Sequence, residues 1–283
     1  MSNIAYVNGD FVPEDQAKIS IFDRGFLFGD GIYEVTPVID GKLVDRAAHL
    51  GRLERSLGEV RIAPPVPVDE IDALQEQLVE KNGVTEGRVY LQVTRGAAER
   101  DFPFPKDARP SLVMFARQVP FVDTAAAKRG IRVKTLPDLR WKRRDIKTVM
   151  LLASAMAKQE AIEAGFDDAW LIEDGLVTEG SSNNAYIVKD GVVRTRHLST
   201  DILPGCTRWA LLALAAETDV KVEEKPFSPE EAKQADEAFI TSATNLVMPV
   251  VGIDEATLGE GAPGPITTRL RQLYVDAARQ EAG

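Results

Sequence analysis

Two kinds of residue in this chain could do chemistry: a lysine placed to lose solvation, and hydroxyl or basic groups placed to hold an anion. Lys147 is of the first kind. Its neighbours Lys142, Arg143 and Arg144 read as a solvated basic run, whereas Lys147 follows Ile146 and opens an apolar segment, 149–156, with a helical pattern. A lysine at the mouth of an apolar helix loses solvation, which disfavours the ammonium and suits the amine to act as nucleophile or base near neutral pH. On spacing alone the plainer reading stands in front of it, a first-turn lysine reaching for water.

The second kind occurs in three places. Gly205, Cys206 and Thr207 follow Leu203-Pro204 directly before an apolar helical run, where first-turn N–H groups and the helix dipole favour an anion; Thr207 could equally be a plain N-cap. Ser242, Ala243 and Thr244 end an apolar strand and offer hydroxyls, or simply make a turn. His49 and Arg52, three apart, share a helix face away from Leu50, Leu53 and Leu57, a pattern that by itself describes a solvated face. Glu179 in a turn is by default a surface charge, and Tyr33 at a strand start a core or interface residue. Cys206 has no histidine near it in sequence and reads as packing.

The elements that must position these groups are mixed α and β. Asn8-Gly9, Asp40-Gly41, Asp174-Gly175 and Asp190-Gly191 between apolar-containing runs predict hairpins. Helical periodicity marks Leu50, Leu53, Leu57 and Val60, then Ile71, Leu74 and Leu78 after a possible cap at Asp69. Strands at 88–94 and 111–119 flank a charged, proline-containing loop, 95–110, too long for a plain connection. A linker at 121–127 divides a smaller N-terminal α/β domain, 1–120, from a larger C-terminal domain, 128–283. That second domain is expected to hold the Lys147 helix to Gly165, strands at 131–135, 169–172, 185–188, near Val222 and at 238–241, and helices at 207–217 and 266–278.

With 283 residues, 44% of them hydrophobic, the chain can bury a substantial core. The net charge of −10 argues against nucleic acid as a partner and requires any anionic ligand to meet a local positive patch. A single cysteine and two histidines, His49 and His197, leave no disulfide and no Cys/His metal site in prospect, which suits a reducing compartment. No apolar run is long enough to span a bilayer and the first residues do not read as a signal peptide, so the cytoplasm is expected. Neither a G-x-G-x-x-G after a strand nor a P-loop is present.

Several separated segments, taken together, carry a resemblance. Asp145-Ile146-Lys147 before Leu151-Leu152, Phe28-Gly29-Asp30-Gly31-Ile32-Tyr33-Glu34 upstream, and Thr178-Glu179-Gly180-Ser181-Ser182-Asn183 downstream closely resemble the D-amino acid aminotransferases, which belong to the fold-type IV pyridoxal phosphate enzymes. The likeness runs from about Tyr6 to the last helix. It implies a two-domain α+β architecture with pyridoxal 5′-phosphate between the domains and a homodimer as the working unit. Lys147 matches the lysine that carries the cofactor as a Schiff base, and Glu179 the partner of its ring nitrogen. Arg52 matches the phosphate clamp, with His49 behind it. Gly205, Cys206 and Thr207 match one phosphate cradle, and Ser242, Ala243 and Thr244 the other. Ser182 and Asn183 match the segment lining the cofactor, and Tyr33 a substrate-facing phenol.

Three positions depart from the pattern. In the family an arginine and a histidine two residues later trap the substrate carboxylate; here Arg100 keeps the arginine and Phe102 replaces the histidine. Pro37 stands where some members have a lysine, and Ala243 where a hydroxyl is usual. The reaction implied is ping-pong transfer of an amino group between a D-amino acid, of alanine or glutamate type, and a 2-oxo acid, with the Lys147 amine moving the proton. Other fold-type IV activities remain alternatives: branched-chain L-amino acid or (R)-amine transamination, or aminodeoxychorismate lyase chemistry. A non-catalytic scaffold is a further one.

Overall fold

The computed structural model describes residues 3–282. The chain divides into two compact units: one runs to Pro120 and includes Ile146–Met150, the other comprises Phe121–Asp145 and Leu151–Gln280.

In the first unit the strands are β1 (Ile4–Val7), β2 (Asp10–Pro13), β3 (Gly31–Ile39), β4 (Lys42–Leu43), β5 (Gly87–Thr94) and β6 (Ser111–Gln118). They form an antiparallel sheet in the order β2-β1-β6-β5-β3-β4. Three helices accompany it: α1 (Arg24–Phe28), α2 (Arg46–Val60) and α3 (Val68–Asn82). Alternation along the strands sends Ile32, Val38, Val89, Leu91, Leu112 and Met114 into one core with Leu53, Leu57, Ile71 and Leu78 of α2 and α3. The intervening residues, Tyr33, Tyr90 and Phe115 among them, occupy the sheet's other face and are half-buried. Helix α3 begins after Pro67 rather than at an Asp69 cap, because the proline's fixed φ already suits the helix entry.

The second unit contains α4 (Ala125–Arg129), β7 (Ile131–Pro137), α5 (Leu152–Glu163), β8 (Asp168–Glu173), β9 (Leu176–Gly180), β10 (Asn184–Lys189) and β11 (Val192–Thr195). After them come α6 (Cys206–Ala216), β12 (Lys221–Glu224), α7 (Pro229–Lys233), β13 (Glu237–Ser242), β14 (Leu246–Ile253), β15 (Ala256–Thr257) and α8 (Pro265–Ala282). Its nine strands form one mixed sheet, β12-β11-β10-β13-β14-β7-β8-β9, with β15 on β14. The stretch expected as a linker holds α4, capped by the Thr124 hydroxyl. Strand β14 is not anticipated by pattern because Pro249 interrupts its apolar run, yet it lies between β13 and β7.

All four expected hairpins form. Asn8, Asp40, Asp174 and Asp190 have φ of 51° and the glycines after them are also at positive φ, the backbone that a two-residue turn with the right twist requires.

Candidate active site

Lys147 is placed by strand pairing, not by a helix. The Tyr33 N–H donates to the Lys147 carbonyl at 2.9 Å, and the Val149 N–H to the Gly31 carbonyl at 3.1 Å. Residues 146–150 thus lie along the start of β3, and α5 begins only at Leu152. The expected helix mouth at Lys147 is therefore corrected. A local apolar pattern is overridden by a long-range ladder, and solvation of the half-buried lysine is limited by the sheet. Gly29 makes the approach possible, since a Cβ there would come within 2.8 Å of Met150 Cγ; Gly31 instead lets β3 lie close on β5, a Cβ there coming within 2.8 Å of the Val93 carbonyl. The Lys147 Nζ rests 4.3 Å from the centroid of the Tyr33 ring.

The neighbouring basic run is not one solvated face. Lys142 is exposed, but Arg144 is only 4% exposed, donating to Glu173 and lying against Asp138, and Arg143 is paired with Asp145.

His49 and Arg52 share a face of α2, and that face is buried. Arg52 donates from Nε and Nη2 to the two oxygens of Glu34 at 2.8 and 2.7 Å, while His49 Nδ1 lies 2.8 Å from Oε2. Burial alone would raise the Glu34 carboxyl. The Arg52 guanidinium, helped by His49, outweighs it and holds the group at about 2. The pattern of a solvated face fails here because Glu34, on the helix-covered side of β3, supplies the counter-charge from 18 residues away in sequence.

In the second unit Glu179 is buried at the end of β9. Arg140 Nη1 donates to its Oε1 at 2.6 Å; the Asn184 amide and the Leu203 N–H donate to its Oε2 at 3.0 Å each. Burial pushes this carboxyl above its usual value against the pull of Arg140, and all its partners are donors, a set that matches the carboxylate. Arg140 is in turn fixed by two bonds to Asp138, at 3.0 and 2.7 Å. Asp138 also accepts from Thr178 at 2.7 Å, and its own arginines hold it low against burial. Arg140 and Asp138 escape a reading by spacing, while Asn184 keeps the asparagine usual in the resembled family. The signal available was position: Arg140 opens the basic segment before Lys147, with Asp138 two residues ahead of it.

Ser181 and Asn183 turn inward to Asp168, at 2.6 and 3.0 Å, leaving Ser182 as the exposed hydroxyl of that turn. At the start of α6 the N-cap is Gly205, not Thr207, and no side chain caps the helix. A Cβ at Gly205 would fall 2.3 Å from Asn184 Oδ1, so glycine lets the helix start close on the residue that also holds Glu179. Cys206 is buried, and Thr207 is 2% exposed with its Oγ1 lacking any partner. An orphaned buried hydroxyl at an uncapped helix N-terminus is the arrangement an oxyanion would complete. Ser242 at the end of β13 accepts from the Asn245 N–H at 3.1 Å, with Ala243 and Thr244 half-buried in the turn.

The 95–110 loop is anchored in the first unit. Arg95 donates to both oxygens of Asp30 and lies 3.6 Å from the Phe104 ring centroid, and Arg24 donates to the Asp101 carbonyl at 2.6 Å. Arg100 is exposed, 5.3 Å from the Phe28 ring, and Phe102, 76% exposed, meets Phe28 edge-on. Lys147 and Tyr33 therefore come together in one unit, and Glu179, Asn184 and the α6 start in the other. His49 and Arg52 gather around Glu34 instead.

Residues 31–253 match the family profile described as amino-transferase class IV. The chain is 39% identical over 274 residues to a D-alanine aminotransferase of Bacillus licheniformis, covering 97% of this chain and 96% of that one. It is 36% identical over 272 residues to one of Staphylococcus haemolyticus, covering 95% of each. A T.th. branched-chain amino acid aminotransferase, solved with pyridoxamine 5′-phosphate, superposes with a TM-score of 0.91 at 26% identity, over 98% of this chain and 94% of that one.

Proposed function

Because the chain belongs to the class IV aminotransferase family, we propose that it moves an amino group between a D-amino acid of alanine or glutamate type and a 2-oxo acid in a ping-pong cycle. The observation that supports this substrate class over others is the likeness to D-alanine aminotransferases along nearly the whole chain.

The cofactor is pyridoxal 5′-phosphate, and the residues fit it. The orphaned Thr207 hydroxyl and the uncapped α6 start suit its phosphate, and buried Glu179, surrounded by donors, suits a protonated ring nitrogen. When bound, the cofactor supplies an electron sink for the charge left at the substrate Cα as its proton departs. Lys147 would hold the cofactor through Nζ and, once released, take that proton. Ser182 would line the cofactor, with the Asn183 side chain turned to Asp168 behind it, and the turn 242–244 would add donors to its phosphate. Arg52, oriented by Glu34 and backed by His49, would supply charge there. Tyr33 and Arg100 would bind the substrate carboxylate, with Phe102 offering apolar surface where a second donor is expected.

A homodimer is the working unit in this reading, supported by the exposed Ile21, Phe22, Phe26 and Phe102 around α1. The single buried Cys206 suits a reducing, cytoplasmic setting. Among the described residues no helix is long and apolar enough to cross a membrane.

The test is a set of half-reactions. Cofactor-loaded protein is mixed singly with D- and L-alanine, D- and L-glutamate, L-leucine and (R)-phenylethylamine, and the carbonyl product is measured. D-Alanine or D-glutamate should react at least about tenfold faster than its enantiomer. A preference for L-leucine would move the protein to the branched-chain class, and no carbonyl product from any donor would refute the reading.

A further inference from the structure

The face of the six-stranded sheet turned away from α2 and α3 carries an aromatic row that none of the roles above explains. Tyr33 on β3 stacks on Tyr90 of β5, centroids 5.7 Å apart at 22°, and Tyr90 stacks on Phe115 of β6 at 4.9 Å and 17°. Each end of the row carries a basic side chain. Arg117, paired with Glu14, lies 4.8 Å from the Phe115 centroid, and the Lys147 Nζ lies 4.3 Å from that of Tyr33.

The row is held in register by the sheet. Tyr90 pairs directly with Phe115 and, across β3, with Val35, two residues from Tyr33. The Tyr90 hydroxyl donates to Gln92 at 2.8 Å, and burial, with Tyr33 beside it, pushes its phenol up to about 12, so it stays a neutral donor there. Lys147 is bound to this row twice, by its carbonyl to the Tyr33 N–H and by its amine on the Tyr33 ring. A ring face attracts an ammonium group, and a ring stacked on a neighbour that is itself stacked is restrained from swinging away.

We propose that the Tyr33-Tyr90-Phe115 row is a seat for the Lys147 amine, holding it whenever it is not joined to the cofactor. Tyr33 then has a second use besides its hydroxyl, and Tyr90 and Phe115 are positioning residues. In the catalytic role this rests on Lys147 being the cofactor-bearing lysine, while the seat itself is a property of the protein without cofactor.

The test uses full-length, cofactor-free protein carrying lysine labelled with 13C at Cε, the Lys147 signal being the one lost in Lys147→Arg. A methylene over a ring face is shifted upfield, so in wild type this signal should stand upfield of the other lysines. Tyr33→Phe should keep the shift, Tyr33→Leu should lose it, and Tyr90→Leu should reduce it. A wild-type Lys147 signal among the ordinary lysines overturns the seat without need of any variant, as does equal loss in Tyr33→Phe and Tyr33→Leu. An upfield signal in a protein that never captures pyridoxal phosphate upholds the seat and refutes the aminotransferase reading.

Discussion

At the scale of single residues, two buried carboxylates are handled in opposite ways. Glu34 lies at about 2 against an ordinary 4.5, because Arg52 and His49 outweigh its burial. A carboxyl lowered on folding stabilises the folded state fully above its unfolded value and loses that contribution as pH falls towards the folded one. Unfolding free energy should therefore drop between pH 4.5 and about 2, with about 3 kcal/mol of the fall traceable to this group. Urea titrations across that range check it, and Glu34→Gln should remove that part of the slope. Glu179 instead is pushed above its usual value, its burial outweighing the charge of Arg140. Arg140→Met should cost about 3 kcal/mol of stability and slow the half-reaction at least about tenfold; a variant with unchanged rate would show that Glu179 works without its arginine. Neither pairing was legible by spacing. A charge reads as solvated until its partner is located, and Glu34 and Arg140 reach their partners from 18 and 39 residues away in sequence.

At the scale of elements, turns were legible and junctions were not. Asn-Gly and Asp-Gly pairs encode their backbone conformation locally, so the four hairpins could be read directly. The segment before α5 could not: its residues suit a helix, but β3 takes 146–150 into a ladder, and only the glycine at 29 hints that this segment approaches closely. At the start of α6 the sequence offered an anion site or a Thr207 cap; the cap is Gly205, which closes on Asn184 and leaves the Thr207 hydroxyl unpaired. Thr207→Val should leave the cofactor-free protein as stable as wild type or slightly more so, because it removes an orphaned hydroxyl. The same change should weaken pyridoxal phosphate binding about tenfold, the worth of one hydrogen bond to a charged group. Thermal unfolding with and without cofactor separates the two effects, and equal destabilisation in both states would mean the hydroxyl is structural.

At the scale of the whole molecule, an acidic chain must collect its positive charge where anions bind. In the proposed function Arg52, Arg100 and the α6 start serve that purpose, and the family likeness, more than composition, pointed to them. The exposed aromatic and aliphatic side chains around α1 predict self-association. Sedimentation equilibrium should give twice the 31.0 kDa chain mass, and Phe26→Asp should shift the protein towards the monomer. The claim on which the whole reading turns is that Lys147 carries the cofactor. Incubation with pyridoxal phosphate, borohydride reduction and peptide mass mapping test it most directly. The predicted result is one stoichiometric adduct, on the peptide containing Lys147, and none in Lys147→Ala; an adduct on another lysine, or undiminished labelling of that variant, would contradict it.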